Sequence, residues 1–278
     1  MIRQTTAKDH LVSLLLLALT VAFLSPLLII LMNSFKGKFY ISDTPFRLPD
    51  STTYAGWDNY TSGLDKTHFI DAFGMSMLIT ICSVCVIIWF TPMAAWYISR
   101  VKTGFTRTLY FLIVFSMIVP FQMVMYTLTK VANTLHLDNL YGIVFIYLGF
   151  GCGLSVFLYA GFVKSLPIEI EEAVMMDGAN PRQLFFKVVF PILKPVAITV
   201  AILNLMWVWN DYLLPFLVIG SEYKTIPIAI QYLKGGYGSV DMGAMMAMLV
   251  LAIVPVVVFY LFCQRYIIEG VVAGAVKG

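Results

Sequence analysis

An all-α membrane protein with six transmembrane helices is the fold class this sequence predicts, and three observations predict it. Hydrophobic residues fill 60% of the 278 positions and charged ones only 12%, whereas a soluble domain carries about 25% charge. The apolar residues gather into runs close to the roughly 20 needed to cross about 30 Å of hydrocarbon. No alternating strand pattern competes with them. The runs fall at about 11–32, 72–98, 109–128, 140–162, 196–219 and 242–262, in a single domain covering 1–278.

Arg3 and Lys8 precede the first run. Its apolar part is longer than the about 7–15 residues of a signal-peptide core and lacks a small-x-small cleavage site, so it reads as an uncleaved span bent at Pro26. A polar stretch from Asn33 to about Phe69 follows, with Pro45, Pro49, Gly56, Tyr54, Trp57 and Tyr60, and reads as a structured outer loop. The second run ends in a basic turn, Arg100, Lys102 and Arg107. The third is interrupted by Pro120, and a polar hairpin from Lys130 to Asn139 leads into the fourth. There Gly149 and Gly153 stand at a small-xxx-small spacing that lets helix backbones approach closely in lipid. A polar segment, 164–195, separates this span from the fifth. A second outer loop, Gly220 to Asp241, carries Gly235, Gly236 and Gly238 and precedes the sixth span. Pro92, Pro120, Pro215 and Pro255 are expected to kink the helices that hold them.

Orientation follows from Lys and Arg. With the amino end inside, the inner segments hold Arg3, Lys8, Arg100, Lys102, Arg107, Lys164, Arg182, Lys187, Lys194, Arg265 and Lys277. The outer ones hold the smaller set Lys36, Lys38, Arg47, Lys66, Lys130, Lys224 and Lys234. Both termini and segment 164–195 therefore come out cytoplasmic, in a multi-pass protein of the cell membrane.

Several function classes are disfavoured. The net charge of +3 is spread along the loops, so nucleic-acid binding has neither patch nor motif. Cys82, Cys85, Cys152 and Cys263 lie within apolar runs, where a thiol behaves as a small hydrophobe. His10, His68 and His136 are far apart and form no metal or nucleophile constellation. No G-x-x-x-x-G-K-[ST] motif occurs. No catalytic residue, metal or cofactor is expected, and the energy for any transport must come from a partner or an ion gradient.

The polar segment reads KSLPIEIEEAVMMDGANPRQLFFKVVFPILKP from Lys164 to Pro195. Local signals make it two short helices. Ser165 is placed to cap the first, Pro167 sits near its start, and Glu169, Glu171 and Glu172 put negative charge at its positive dipole end. Gly178 stops it. Asn180, Pro181 and Gln183 then form the capping-box pattern of a second helix that Pro191 helps to close. By local physics the segment is either an ordinary well-capped loop or a docking element. The order Glu172-Ala173-Val174, three residues, Gly178, nine residues and Val188-Val189-Phe190-Pro191 resembles the EAA loop of ABC importer permeases. Glu171, Asp177, Ala179 and Pro195 resemble its carbohydrate-uptake, maltose-type version; Val174, Val188 and Phe190 depart from that pattern but remain apolar. The resemblance implies a type I ABC importer permease fold, with 164–195 as a coupling loop seated in a cleft of a cytoplasmic ATPase. It carries the coupling role to Glu171, Glu172, Ala173, Asp177, Gly178, Ala179 and Pro191.

Two further stretches bear on function. In the fifth span Asp211 is an ionisable residue inside an apolar run, which suggests function by default. Helical spacing aligns Asn204, Trp207 and Asp211 on one stripe with Asn210 beside it, roughly 20 Å above the inner end of that helix. Amides, carboxylates and indoles suit a sugar pathway; the alternative is that these groups mark the interface or bind a neighbouring helix. The Trp-Asn-Asp sequence resembles a motif in the same span of maltose-type permeases. The carboxyl end, 265–278, reads by composition as a flexible tail. Its Gly274, Ala275, Val276, Lys277 and Gly278 resemble the ending of the second permease of maltose-type importers, which reaches between the two ATPase subunits. The implied partners are a second, non-identical permease, two ATPase copies and an extracytoplasmic sugar-binding protein, with a sugar as substrate, an oligosaccharide or a relative. The main rival is an ion-coupled secondary transporter, which would show internal repeats with matching broken helices.

Overall fold

The computed structural model describes residues 7–220, 222–234 and 240–275. Arg3, Gly235, Gly236, Gly238, Val276, Lys277 and Gly278 lie outside the described residues. In chain order the helices are α1 (Ala7–Asn33), α2 (Lys38–Asp43), α3 (Asp58–Thr67), α4 (Phe69–Arg100), α5 (Gly104–Phe115), α6 (Phe121–Thr134), α7 (Leu140–Lys164) and α8 (Ile168–Met176). There follow α9 (Pro181–Leu184), a π-helical turn (Phe185–Val189), α10 (Phe190–Ile192), α11 (Lys194–Asn210), α12 (Leu213–Val218), α13 (Ile226–Gln231) and α14 (Met242–Ala275). No strand occurs among the described residues; one isolated antiparallel bridge joins Lys36 and Tyr54.

Four of the described helices contain segments long and apolar enough to cross a membrane: His10–Asn33, Phe69–Arg100, Leu140–Lys164 and Met242–Tyr266. The third and fifth runs of the sequence are broken instead of continuous. Residues 116–120 separate α5 from α6, because Pro120 offers no N–H to a helix and biases the residue before it away from helical geometry. α5 also begins earlier than the apolar run, at a capping box in which Thr103 and Thr106 bond each other's backbone N–H. α6 runs on to Thr134, so the hairpin is shorter than its polarity suggests. The fifth run ends its long helix at Asn210, where Asp211 turns to extended geometry at φ −73°, ψ 126°. Pro191 does not end the second loop helix: α9 continues through the π turn to Ile192, and the chain bends by 72° at Leu193. A widened turn just before Pro191 gives its ring room against the carbonyl four residues back. The carboxyl end, expected to be flexible, continues α14 as helix to Ala275; no proline follows Pro255, and Gly270 and Gly274 cost a helix only about 1 kcal/mol each.

The chain divides into two compact units. In the first, Met1–Ile70 with Ala229–Pro255, the loop after α1 is folded. The Phe35 ring packs against Tyr54, Trp57 and Tyr60. The Asn59 amide donates to the carbonyls of Ser34 and Lys36, both at 2.8 Å, and the fully buried Lys36 amine donates to the Thr44 carbonyl at 2.5 Å. Burial pushes the pKa of that amine below its ordinary value. α3 lies close to α14: a side chain at Gly63 would strike Met248. Lys66 pairs with Asp241 at 2.5 Å. Burial raises the Asp241 carboxyl, but the bonds from Lys66 and the Ala244 N–H outweigh it and hold the group below the usual carboxylate range.

The second unit, Asp71–Ile228 with Val256–Gly278, contains the apolar core in which α4, α7 and α11 meet. Gly153 brings α7 against the end of α5, since a Cβ there would stand 3.1 Å from the Ile113 carbonyl oxygen and 2.6 Å from Met117 Cγ just beyond the helix. Gly151 does the same toward Ile87 of α4. Gly149 has nothing within 4 Å of such a Cβ. The close approach thus uses Gly151 and Gly153 instead of the Gly149–Gly153 pair, because helix rotation about the axis, not spacing alone, selects the face.

Candidate functional site

α8 and α9 form the helix-turn-helix expected of segment 164–195. Gly178 has φ +86°, the left-handed conformation in which glycine avoids a Cβ clash, and it ends α8. Asn180 and Gln183 make the reciprocal capping box, with Gln183 N–H donating to Asn180 Oδ1 at 2.9 Å and Asn180 N–H to Gln183 Oε1 at 3.0 Å. Ser165 behaves differently from expectation. It follows α7 and its hydroxyl donates back to the Phe162 carbonyl, while Pro167 stands at the α8 N-cap. A proline there restricts the residue before it, so the cap position passes to the ring.

The adjacent carboxylates of this segment have opposite surroundings. Glu171 is 7% exposed and its oxygens are taken up inside the chain. Arg100 Nε donates to Glu171 Oε1 at 2.8 Å, Arg100 Nη2 lies 2.7 Å from the same oxygen, and Trp96 Nε1 donates to Oε2 at 2.9 Å. Arg100 Nη2 also reaches the Leu166 carbonyl at 3.2 Å. Glu172, one residue on, is exposed, as are Ala173, Asp177 and Gly178. One helical step of about 100° turns neighbouring side chains to different faces. Ala179 is half-buried and Pro191 is exposed.

A second attachment is apolar. Leu184, Phe185, Val189 and Leu193 are buried in the core shared by α4, α7 and α11, and the Phe185 ring lies 5.5 Å from that of Trp96. Trp96, in the last turns of α4, therefore touches the segment through both its N–H and its ring. A cavity of about 350 Å³ between α8 and α9 is framed by Val174, Asp177, Gly178, Ala179, Gln183 and Lys187. Next to it Met175 and Met176 are exposed, Met176 by 87%. The segment is thus rooted by Glu171, Leu184, Phe185, Val189 and Leu193 and leaves the apolar Met175 and Met176 exposed. Sequence reasoning missed Met175, Met176, Arg100 and Trp96. Two methionines in a polar stretch were a readable sign of an adaptable contact surface, whereas nothing local links Arg100 to a residue 71 positions away.

The fifth-span residues do not form one stripe. Asn204 is buried, and its amide donates to Ser155 Oγ at 3.1 Å and to the Val200 carbonyl at 2.8 Å, joining α11 to α7. Asp211, beyond the helix end, accepts from the Tyr147 hydroxyl at 3.1 Å through one oxygen. Its other oxygen accepts from the N–H groups of Leu213 and Leu214, at 3.0 and 3.4 Å, where α12 starts. Trp207 is 41% exposed, with its ring edge-on to Tyr147 at 5.4 Å. Asn210 is exposed and donates only to the Met206 carbonyl of its own helix. Of the tail residues, Gly274 and Ala275 are the end of α14.

Residues 69–272 match the protein family described as binding-protein-dependent transport system inner membrane component. A probable starch degradation products transport system permease protein, AmyC of Thermoanaerobacterium thermosulfurigenes, is 37% identical over 99% of both chains. The multiple sugar-binding transport system permease protein MsmG of Streptococcus mutans is 34% identical over 92% of this chain and 93% of its own. The melibiose/raffinose/stachyose import permease protein MelC of Bacillus subtilis is 30% identical over 98% of each. Among solved structures, a chain of a bacterial ABC transporter involved in the import of the acidic polysaccharide alginate aligns with a TM-score of 0.75 and 22% identity. That alignment covers 94% of this chain and 98% of the other, and establishes the helical permease fold. A second alginate transporter structure, in complex with a pentasaccharide-bound periplasmic protein, has a TM-score of 0.65.

Proposed function

This chain belongs to the family of binding-protein-dependent transport system inner membrane components, and on that premise we propose how it works as the membrane-spanning permease of an ATP-driven carbohydrate importer. It is a multi-pass subunit of the cell membrane and a transport protein rather than an enzyme. Relatives named for starch products, for multiple sugars and for melibiose, raffinose and stachyose support a sugar substrate, an oligosaccharide among them.

In this reading the chain supplies half of a translocation pathway, with a second, non-identical permease supplying the rest. Two cytoplasmic ATPase copies hydrolyse ATP and an extracytoplasmic protein delivers the sugar. The α5–α6 pair and the α11–α12 pair complete six spans, and both termini face the cytoplasm. The observation that carries the coupling role is the seating of 164–195, which is rooted on α4 by Glu171 and Phe185 while Glu172, Met175 and Met176 stay exposed. The exposed face meets the ATPase. Glu171 does not touch the ATPase; it transmits the segment's movement to α4 through Arg100 and Trp96. Gly178 and the Asn180 capping box keep α8 and α9 a rigid lever, and Gly274 to Gly278 extend toward the ATPase pair. Trp207 and Asn210 face the pathway, while Asn204 and Asp211 hold its wall, fixing α11 to α7 and setting the break before α12.

The test compares ATP hydrolysis and sugar uptake by the reconstituted importer. Glu172→Lys and Gly178→Pro are expected to lower ATPase co-purification or sugar-stimulated hydrolysis at least about tenfold, with the chain still folded in the membrane. Glu171→Ala leaves the half-buried Arg100 without its carboxylate, and is expected to cost on the order of 1–3 kcal/mol, seen as a lower unfolding temperature that Glu172→Ala does not share. Uptake that ignores ATP and follows an ion gradient would overturn the importer reading in favour of a secondary transporter.

A further inference from the structure

Three helix ends converge on a cavity that has no part in the transport cycle described above. It lies where α4 has just ended, α5 begins and α7 ends, and it encloses about 400 Å³. Lys102, Arg107 and Lys164 line it, together with Thr103, Gly104 and Tyr110, and no carboxylate does. Among the described residues none of these three cations forms an ion pair, whereas Arg100 nearby in sequence is committed to Glu171.

Part of this lining is held in place. The Lys164 ammonium sits 4.8 Å from the centre of the Tyr110 ring, which attracts it by its quadrupole. The short connection carrying Lys102 is pinned by the Thr103–Thr106 capping box and by the Thr106 hydroxyl, which donates to the Val101 carbonyl at 2.6 Å. At Gly104 a side chain would meet nothing within 4 Å, so a ligand can come up to the backbone at the start of the twelve-residue α5, where helix N–H groups favour negative charge. Charge-assisted bonds from lysine and arginine to phosphate oxygens are short and strong.

Position decides which phosphate. α4 and α7 are apolar, membrane-length helices, and both end at this cavity, so its mouth lies at the water boundary of the bilayer. Beside it Phe105 is 69% exposed, an apolar surface next to three cations. Such a pairing fits an amphiphile with an anionic head, and basic pockets between helices at this depth recognise lipid headgroups. We propose that the cavity binds the phosphodiester of an anionic phospholipid such as phosphatidylglycerol, with Lys102, Arg107 and Lys164 on its oxygens and the acyl chains along Phe105. Free phosphate shares the headgroup's chemistry but has no use for Phe105. The assignment depends on α4 and α7 crossing the membrane and is independent of how the importer is powered.

The test is native mass spectrometry of the detergent-purified importer complex titrated with phosphatidylglycerol. Lys102→Gln/Arg107→Gln is expected to weaken the tightest lipid site about thirtyfold, at roughly a factor of five per charge. Lys187→Gln/Lys194→Gln, which removes the same charge elsewhere, should change it less than about threefold. Lys102→Arg/Arg107→Lys should keep the site, which separates lost charge from lost folding. Equal weakening in both glutamine variants, or no retained phosphatidylglycerol in the wild type, overturns the proposal. So does displacement of the lipid by millimolar inorganic phosphate, which would make the ligand soluble phosphate. Crosslinking of a photoreactive group at position 102 to an ATPase subunit in place of lipid would also overturn it.

Discussion

Glu171 and Glu172 are the same residue type one position apart, and their environments could hardly differ more. The first is enclosed by a guanidinium and an indole N–H, the second faces outward. The pair that the motif treats alike therefore divides into an internal strut at Glu171 and an exposed carboxylate at Glu172, which the proposed coupling assigns to the ATPase. Asp211 likewise departs from what its residue type suggests, because its bonds to Tyr147 and to the start of α12 occupy both oxygens with structural work. Outside the membrane, Asp50 gives a residue-scale prediction. Its Oδ1 accepts from the N–H and hydroxyl groups of Thr52 and Thr53, and these bonds hold the carboxyl down at about 2. An unfolded aspartate titrates at about 3.9, so the turn's contribution is complete above about pH 4 and is lost as the pH falls through about 2. With tryptophan replaced by 5-fluorotryptophan, the fluorine resonance of Trp57, assigned by its loss in Trp57→Phe, should hold steady from pH 7 to about 4 and shift between about 4 and 2. That change should vanish in Asp50→Asn; its persistence would assign the transition to another carboxylate.

The elements differ from their apolar runs mainly at their ends. Hydropathy finds a run but does not register the missing N–H of Pro120 or the bonds that Asp211 makes, and both break a helix within the run. Capping is more legible, because it is local: the Asn180–Gln183 box and the Gly178 stop need only residues within a few positions. Ser165 shows the limit, since the same hydroxyl can close the preceding helix as readily as open the next. Helix packing is less legible still. Gly149 and Gly153 share a spacing, but only Gly153 faces α5. Gly153→Leu is expected to push α5 from α7 and to destabilise the protein by roughly 1–3 kcal/mol. Gly149→Leu, with open space around it, should leave the unfolding temperature of the purified complex within about 2 °C of wild type. Equal losses in both would show that glycine matters here for its backbone and not for contact.

For the whole molecule the charge distribution makes the boldest claim. It puts segment 164–195 and the outer loop 33–69 on opposite sides of the membrane. In a variant lacking its native cysteines, Ser51→Cys should react with a membrane-impermeant maleimide added to intact cells. Asn180→Cys should react only after the membrane is opened. Both positions are exposed, so accessibility within the fold does not confuse the result. Labelling of both from outside would remove the crossing assigned to α5–α6, and labelling of Asn180→Cys alone would invert the orientation; either would take segment 164–195 from the cytoplasmic side. The broken α5–α6 pair lies between the two positions and must complete a crossing for this arrangement to hold, which gives the labelling a direct bearing on the span count.

What the sequence determined by itself was the membrane class, the positions of the apolar runs, the helix-turn-helix at 164–195 and the motif that pointed to ABC importer permeases. Each of these depends on composition or on residues close together in the chain. The tertiary structure alone decided that Glu171 closes on Arg100 and Trp96, that Asn204 binds Ser155, that Gly153 rather than Gly149 meets α5, and that Lys102, Arg107 and Lys164 surround one cavity. Those facts join residues tens of positions apart. They depend on the rotation of each helix about its axis and on where its ends fall, quantities that hydropathy and spacing leave open and that close packing between helices sets.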